Sequence, residues 1–123
     1  MRFFKCDHCG NIIVFLESKG VPVMCCGQKM TELVPGSVDA AAEKHVPFVT
    51  VEGDCVRVKV GEVLHPATEA HHIDWIVLET EHGFVKRDLD PLSSPEVVFA
   101  LAGEKPVAVY AYCNLHGLWV KEF

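Results

Sequence analysis

Six cysteines and seven histidines are the residues of this 123-residue chain whose types and spacing could do chemistry. Four of the cysteines come early. Cys6-Asp7-His8-Cys9-Gly10 separates two thiols by two residues, a spacing at which both can chelate one ion. The glycine after them can take a positive φ and let backbone N–H groups approach sulfur. Cys25-Cys26-Gly27 follows after fifteen intervening residues. Four thiolates predict a tetrahedral zinc or iron centre, and the adjacency of the second pair predicts a sulfur–metal–sulfur angle forced away from ideal. Spacing alone leaves zinc and iron open. A vicinal Cys25–Cys26 disulfide would leave the first pair unpartnered in a reducing compartment. A thioredoxin-like Cys6/Cys9 dithiol would need a βαβ context that the sequence lacks. His8, between the first two cysteines, reads as solvent-exposed.

A second set, His45, His65, His71, Cys113 and His116, recurs at strand ends and turns. Cys113-Asn114-Leu115-His116-Gly117 lies between two predicted strands, so it reads as a turn presenting a thiolate and an imidazole three residues apart. Gly117 supplies the backbone freedom that a tight chelating turn requires. His65-Pro66 and His71 bracket a loop without strand pattern, and the proline stiffens the backbone beside the first histidine. His45 follows Glu43-Lys44 and precedes Pro47 by two. His72 competes with His71 as a ligand, and His82, in the turn Glu81-His82-Gly83, reads as solvated. Structural zinc stops at four ligands. Blue copper takes two histidines, one cysteine and an axial methionine, but Met1, Met24 and Met30 all lie in the first part of the chain. Iron(II) accepts more ligands. Four neutral imidazoles and one thiolate would leave one octahedral position open, with an electron-rich sulfur opposite to push density toward a bound oxygen species, as in thiolate-ligated haem.

Two segments of different character must position these groups. Residues 1–36 hold four of the six cysteines and few apolar side chains. A unit this small rarely folds on its own core, and metal affinity becomes its folding free energy. Ile12 to Leu16 predicts a strand, Ser18-Lys19-Gly20 a turn and Val21 to Met24 the return strand, with a boundary at Pro35-Gly36-Ser37. Residues 37–123 read as β throughout. Phe48 to Val51 and Cys55 to Val60 form a predicted hairpin in which Val56, Val58 and Val60 alternate with Arg57 and Lys59, the pattern of a half-buried strand. Ile73 to Glu79 and Phe84 to Leu89 form a second. Val97 to Ala102, Val107 to Tyr112 and Leu118 to Lys121 bring the total to about seven short strands, the grammar of a sandwich or barrel. Val38 to Glu43, with three alanines, predicts the one helical turn. Cys55 falls on the polar face of its strand and reads as a spare thiol.

Composition bounds the rest. Half the residues are apolar, which excludes wholesale disorder. The longest apolar run, Pro106 to Cys113, is far too short to cross a bilayer as a helix. A net charge of −6 without any basic block argues against nucleic acid as a partner. Met1 to Cys6 carries no apolar signal core, so the expectation is a soluble cytoplasmic protein whose thiols stay reduced.

Taken in order, Cys6-x-x-Cys9, Cys25-Cys26, Glu43-Lys44-His45-x-Pro47, His65-Pro66, His71 and Cys113-Asn114-Leu115-His116-Gly117 resemble desulfoferrodoxin, the family of two-iron superoxide reductases, over essentially the whole chain. The first segment resembles desulforedoxin, which holds iron on four cysteines with the last pair adjacent; that moves the choice from zinc to iron. The resemblance implies an all-β chain with a small desulforedoxin-like domain at 1–36 and an immunoglobulin-like β-sandwich at 37–123. It implies two irons per chain. The second would be ringed by His45, His65, His71 and His116, with Cys113 as the axial ligand and His72 left as a neighbour. The activity implied is one-electron reduction of superoxide to hydrogen peroxide, with re-reduction by a rubredoxin-like donor, in a homodimer. Lys44 would attract superoxide and aid protonation. A chain of net charge −6 repels a small anion at long range, so a local cation has an independent physical rationale. Glu43 would close the open position of the oxidised site and help peroxide leave. No catalytic role is assigned to the four-cysteine iron. The rival readings are a non-catalytic two-metal electron carrier and a zinc protein with a histidine-rich hydrolytic site. Glu43-Lys44 beside His45, which an electron carrier does not need, favours the enzyme.

Overall fold

The computed structural model describes residues 1–123, which divide into two compact units, Met1–Val34 and Pro35–Phe123. In the first unit, β1 (Phe3–Lys5) is the central strand of a three-stranded antiparallel sheet. It lies between β2 (Ile12–Val14) and β5 (Thr31–Leu33), with Phe3 opposite both Val14 and Leu33. β3 (Met24–Cys25) and β4 (Gln28–Lys29) form a separate two-residue ribbon. Phe3, Cys6 and Met30 are the buried side chains of this unit. So small a core leaves much of the stability to whatever the cysteines bind.

The predicted strand from Ile12 ends at Val14, and its partner is β1 rather than the stretch from Val21 to Met24. Of that predicted return strand only Met24 is in a ladder, opposite Lys29. Pro22 has no N–H to give to a ladder, and Leu16 and Val21 are largely exposed to solvent. β1 and β5 lie outside the strands expected from sequence. Three residues are too few to show an alternation.

In the second unit a single helical turn, α1 (Ala42–His45), precedes seven strands: β6 (Pro47–Glu52), β7 (Cys55–Val60), β8 (Ile73–Thr80), β9 (Gly83–Asp88), β10 (Glu96–Ala100), β11 (Pro106–Cys113) and β12 (Gly117–Glu122). They make a three-stranded sheet in the order β10-β7-β6 and a four-stranded sheet in the order β12-β11-β8-β9, antiparallel throughout. This is an immunoglobulin-like sandwich. The helical turn begins at Ala42 rather than Val38, since Ala41 is already extended (φ −65°, ψ 108°) and makes no side-chain cap. No helix is long and apolar enough to cross a membrane.

The core lies between the sheets. Val56, Val58 and Val60 of β7 and Phe99 of β10 meet Ile73, Ile76 and Leu78 of β8 and Val109, Ala111 and Cys113 of β11. Burying a Val, Leu, Ile or Phe contributes about 1.5–3 kcal/mol, so this cluster dominates the unit's stability. The inward positions of β11 run Val109, Ala111, Cys113, so the period of two that fills the core also delivers a thiol to its edge. Opposite β8 the register shifts at that point. Tyr112 faces Trp75, whereas Cys113 faces Ile73. Such an irregularity re-aims the last side chain of a strand.

Candidate functional site

The four early cysteines converge. Their sulfurs lie within 4.8 Å of one another, and Cys9 Sγ is 3.6 Å from Cys25 Sγ. All are free thiols, so no vicinal disulfide forms. Metal–sulfur bonds of about 2.3 Å in a tetrahedron place sulfurs about 3.8 Å apart, so the cluster fits a tetrahedral ion. Two local conformations bring it about. Gly10 takes φ 85° and its N–H closes on the Cys6 carbonyl at 2.9 Å, which folds the first pair into a knuckle. Cys26 takes φ 52°, a left-handed conformation rare outside glycine. Adjacent extended residues point to opposite sides, and this turn returns the Cys26 sulfur to the side of Cys25. The Cys9 N–H, 3.5 Å from Cys6 Sγ, holds the Cys6 thiol down to about 6. The Cys26 thiol, crowded by Cys9 and Cys6, is pushed up to about 12. A cation at the centre would reverse that second effect.

The second set converges as well. One donor atom from each of His45, His65, His71 and Cys113 lies within 4.8 Å of the others. His116 joins them, with Nδ1 3.1 Å from His45 Nε2 and 3.8 Å from Cys113 Sγ. His45 Nε2 is also 3.2 Å from His65 Nε2, which in turn is 3.4 Å from Cys113 Sγ. Metal–nitrogen bonds of about 2.1 Å at right angles place neighbouring nitrogens about 3.0 Å apart. The ring centroids reveal the order of the four histidines. His45–His65, His65–His71, His71–His116 and His116–His45 are 4.7, 4.5, 5.0 and 4.9 Å apart, while His45–His71 is 6.2 Å. The imidazoles therefore form a cycle 45–65–71–116 with His45 across from His71.

The protons are arranged to suit a cation. His45 Nδ1 donates to the Ala41 carbonyl at 2.7 Å and His65 Nδ1 to the Pro66 carbonyl at 2.8 Å, which leaves the lone pairs on their Nε2 atoms. Two lone pairs then face each other with no proton between them. His71 Nε2 is buried and has no hydrogen-bond partner at all. Burial lowers the pKa of His45 and His71, and that of His65 to about 4, so all three are neutral near pH 7. Burial raises the Cys113 thiol, opposed by the N–H groups of His116 and Leu115, which favour the thiolate. Unpaired, inward-pointing lone pairs in a buried site are costly. A metal ion removes that cost, and the donor set, four imidazoles and one thiolate, fits iron(II).

Glu43 and Lys44, the two residues before His45 on α1, are exposed. The charge of Lys44 is close enough to lower the pKa of both His45 and His71. The Glu43 carboxylate acts in the opposite sense on His45, and the Glu43 carbonyl accepts the Val63 N–H at 2.9 Å. The structure brings neither side chain into hydrogen-bond contact with the ring. His72 turns away from the cluster. Its Nδ1 meets the Thr68 carbonyl and its Nε2 meets Asp74 Oδ1, each at 2.8 Å. His8 is exposed, His82 pairs with Glu104 at the surface, and Cys55 is exposed.

Trp119 is an addition that the sequence reading lacked. Its ring lies 4.9 Å from that of His45, tilted by 30°, and its Nε1–H donates to the His116 carbonyl at 3.1 Å. One side chain thus braces two of the four histidines. The available signal was its position, two residues beyond Gly117 on the strand that returns from the chelating turn.

Comparison with known proteins adds independent findings. A family model described as desulfoferrodoxin matches residues 37–122, and one described as the desulfoferrodoxin N-terminal domain matches residues 1–33. A desulfoferrodoxin from Syntrophotalea carbinolica is 43% identical over 122 residues, covering 99% of this chain and 96% of that protein. A superoxide reductase from Pyrococcus abyssi is 42% identical, covering 70% of this chain and 90% of that one. The crystal structure of the superoxide reductase from Treponema pallidum superposes with a TM-score of 0.81 at 39% identity, covering 98% of this chain and 97% of the other.

Proposed function

The chain belongs to the desulfoferrodoxin family, and from that premise we propose that it is a superoxide reductase with two iron centres. Cys6, Cys9, Cys25 and Cys26, in the domain at 1–36, hold one iron. His45, His65, His71, His116 and Cys113 would hold the other, in the domain at 37–123. The observation that carries the reading is the ring of four imidazoles, with His45 and His65 buried and their proton-free Nε2 atoms 3.2 Å apart, His71 Nε2 unpartnered, and the single sulfur of Cys113 behind them. Ferrous iron held there supplies one electron, which with two protons takes superoxide to hydrogen peroxide.

The protein's own groups do the rest. Lys44 offers a positive charge beside the ring in a chain of net charge −6, drawing in a small anion that the molecule as a whole repels. The same ammonium helps deliver the protons. Glu43, one residue earlier on α1, would supply a carboxylate to the oxidised site and so help peroxide leave. Cys113, fully buried and approached by two backbone N–H groups, is kept from the solvent that would protonate or oxidise it. An external one-electron donor of the rubredoxin type returns the site to the ferrous state, and the working form is a homodimer; both follow from the family resemblance. The reading puts the reaction in the cytoplasm, on the expectation that thiols stay reduced there.

The test is to mix pulse-generated superoxide with the reduced protein while following the iron spectrum and the peroxide yield. A reductase oxidises its histidine-ringed iron and forms about one peroxide per superoxide consumed. A yield near one half, with oxygen evolved, would mark a dismutase. Loss of superoxide at the uncatalysed rate would mark an electron carrier.

A further inference from the structure

Asn114, the residue after Cys113, makes three hydrogen bonds to the backbone on either side of His71. Its Oδ1 accepts the His72 N–H at 2.9 Å, its Nδ2 donates to the Ala70 carbonyl at 3.0 Å, and its own N–H donates to the His72 carbonyl at 3.1 Å. A side-chain amide carries both donors and an acceptor, so it can stand in for a peptide group. Here it continues strand-like pairing past the point where the β11–β8 register shifts, between Tyr112 and Cys113.

His71 needs such support. His45 and His65 are each oriented through Nδ1 by a carbonyl, whereas His71 has no equivalent ring contact and its Nε2 is unpartnered. Its N–H and carbonyl close a local turn with Thr68, at 3.2 and 3.0 Å, which shapes the loop but does not attach it to the sandwich. The attachment is the Asn114 amide, which ties the loop to the residue next to the sulfur. We infer that Asn114 is a positioning residue that sets the His71 imidazole against the Cys113 thiolate. It holds one member of the ring at a fixed place relative to the axis.

This inference rests on the reading of the histidine–cysteine cluster as an iron site. The test compares Asn114→Ala, Asn114→Asp and a matched control, Asp54→Ala, all isolated with iron. Asp54 likewise uses its side chain for two backbone bonds, accepting from Ala102 and Gly103 at 3.1 and 3.0 Å, but at a hairpin end without ligands. Two quantities are read for each: the rate at which a ferrous chelator removes iron from the second centre, and the position of the ferric–thiolate absorption band. The four-cysteine iron in the same sample serves as internal reference. Removing an outer partner of a ligand typically lowers metal affinity about 10–100-fold. Asn114→Ala should release iron at least about tenfold faster and move the band, with the first centre unchanged. Asn114→Asp, which keeps the His72 bond and loses the Ala70 bond, should fall between Ala and wild type, and it decides the matter if the alanine variant does not fold. Asp54→Ala should match wild type. Wild-type release and an unmoved band in both Asn114 variants, or an equal change in Asp54→Ala, overturns the inference. Wild-type protein with no iron at the second centre overturns the iron reading instead.

Discussion

His45 Nε2 lies 3.1 Å from His116 Nδ1, although 71 positions of chain separate the two residues. The Nδ1 of His45 is engaged with the Ala41 carbonyl, so the facing nitrogen carries a lone pair. Both nitrogens are thus within reach of one central ion, which His45 would meet with its Nε2 lone pair. His116→Ala should therefore release the iron of the second centre while leaving the first in place, and Cys9→Ser should do the reverse. Iron analysis with visible spectroscopy checks both. Loss of both irons in either variant would mean that the centres do not assemble separately.

Lys44 is exposed, and its charge acts on His45 and His71 without a hydrogen bond to either. A group that makes no hydrogen bond to the ring should alter encounter and leave the site assembled. Lys44→Ala is expected to retain both irons and slow the second-order reaction with superoxide by about tenfold at low salt. The difference should shrink as ionic strength rises. Stopped-flow or pulse kinetics at two salt concentrations measure it. Equal rates at low salt would remove the steering role.

The sandwich was legible where a periodic pattern ran long enough to repeat. Val56, Val58 and Val60 announced the buried face of β7, and Phe84 and Val85 marked β9 to within a residue of its start. β1 and β5 were not legible, because Phe3 meets Leu33 across the length of the first unit and three-residue strands carry no period. Motif spacing pointed to the histidines that converge, but the reason that His71 faces inward is geometric. Asp74 and the Thr68 carbonyl hold the His72 ring elsewhere. Trp119 and Asn114 escaped for a related reason. Each acts through contacts with backbone carbonyls or rings that only the folded register brings near.

Burial sets how the metal-free protein responds to acid. His65 is lowered to about 4, and His45 and His71 are lowered for the same reason. In the unfolded chain a histidine titrates near 6.5. Between these values the unfolded chain binds more protons than the folded one, so stability is complete above about 6.5 and falls as pH drops toward 4. His72 opposes the trend weakly. Despite burial it is held above its ordinary value by the Thr68 carbonyl and Asp74. Urea unfolding of iron-stripped protein should give a lower midpoint at pH 5 than at pH 7.5, with a smaller difference in His65→Gln. Identical midpoints at the two pH values in the unsubstituted protein would contradict the buried, neutral state of the ring.

Gly61 determines how closely α1 can approach the turn that carries His65. A β-carbon placed on Gly61 would fall 2.7 Å from the carbonyl oxygens of both Glu43 and Val46. Those atoms are backbone, so α1 itself would have to move rather than a flexible side chain. The same Glu43 carbonyl accepts the Val63 N–H, and the His65 N–H donates to Val60 at 2.8 Å, so the contact is bonded on both sides of Gly61. His45 leaves α1 and His65 leaves this turn, and their Nε2 atoms are 3.2 Å apart. Gly61→Ala is therefore expected to cost about 1–3 kcal/mol, the usual range for overpacking, and to loosen the second iron by separating two neighbouring members of the ring. Gly83→Ala is the control, since a β-carbon there meets nothing within 4 Å. Urea midpoints and chelator release rates read the two effects. If Gly61→Ala matches Gly83→Ala in both, the close approach of α1 does not set the spacing of His45 and His65.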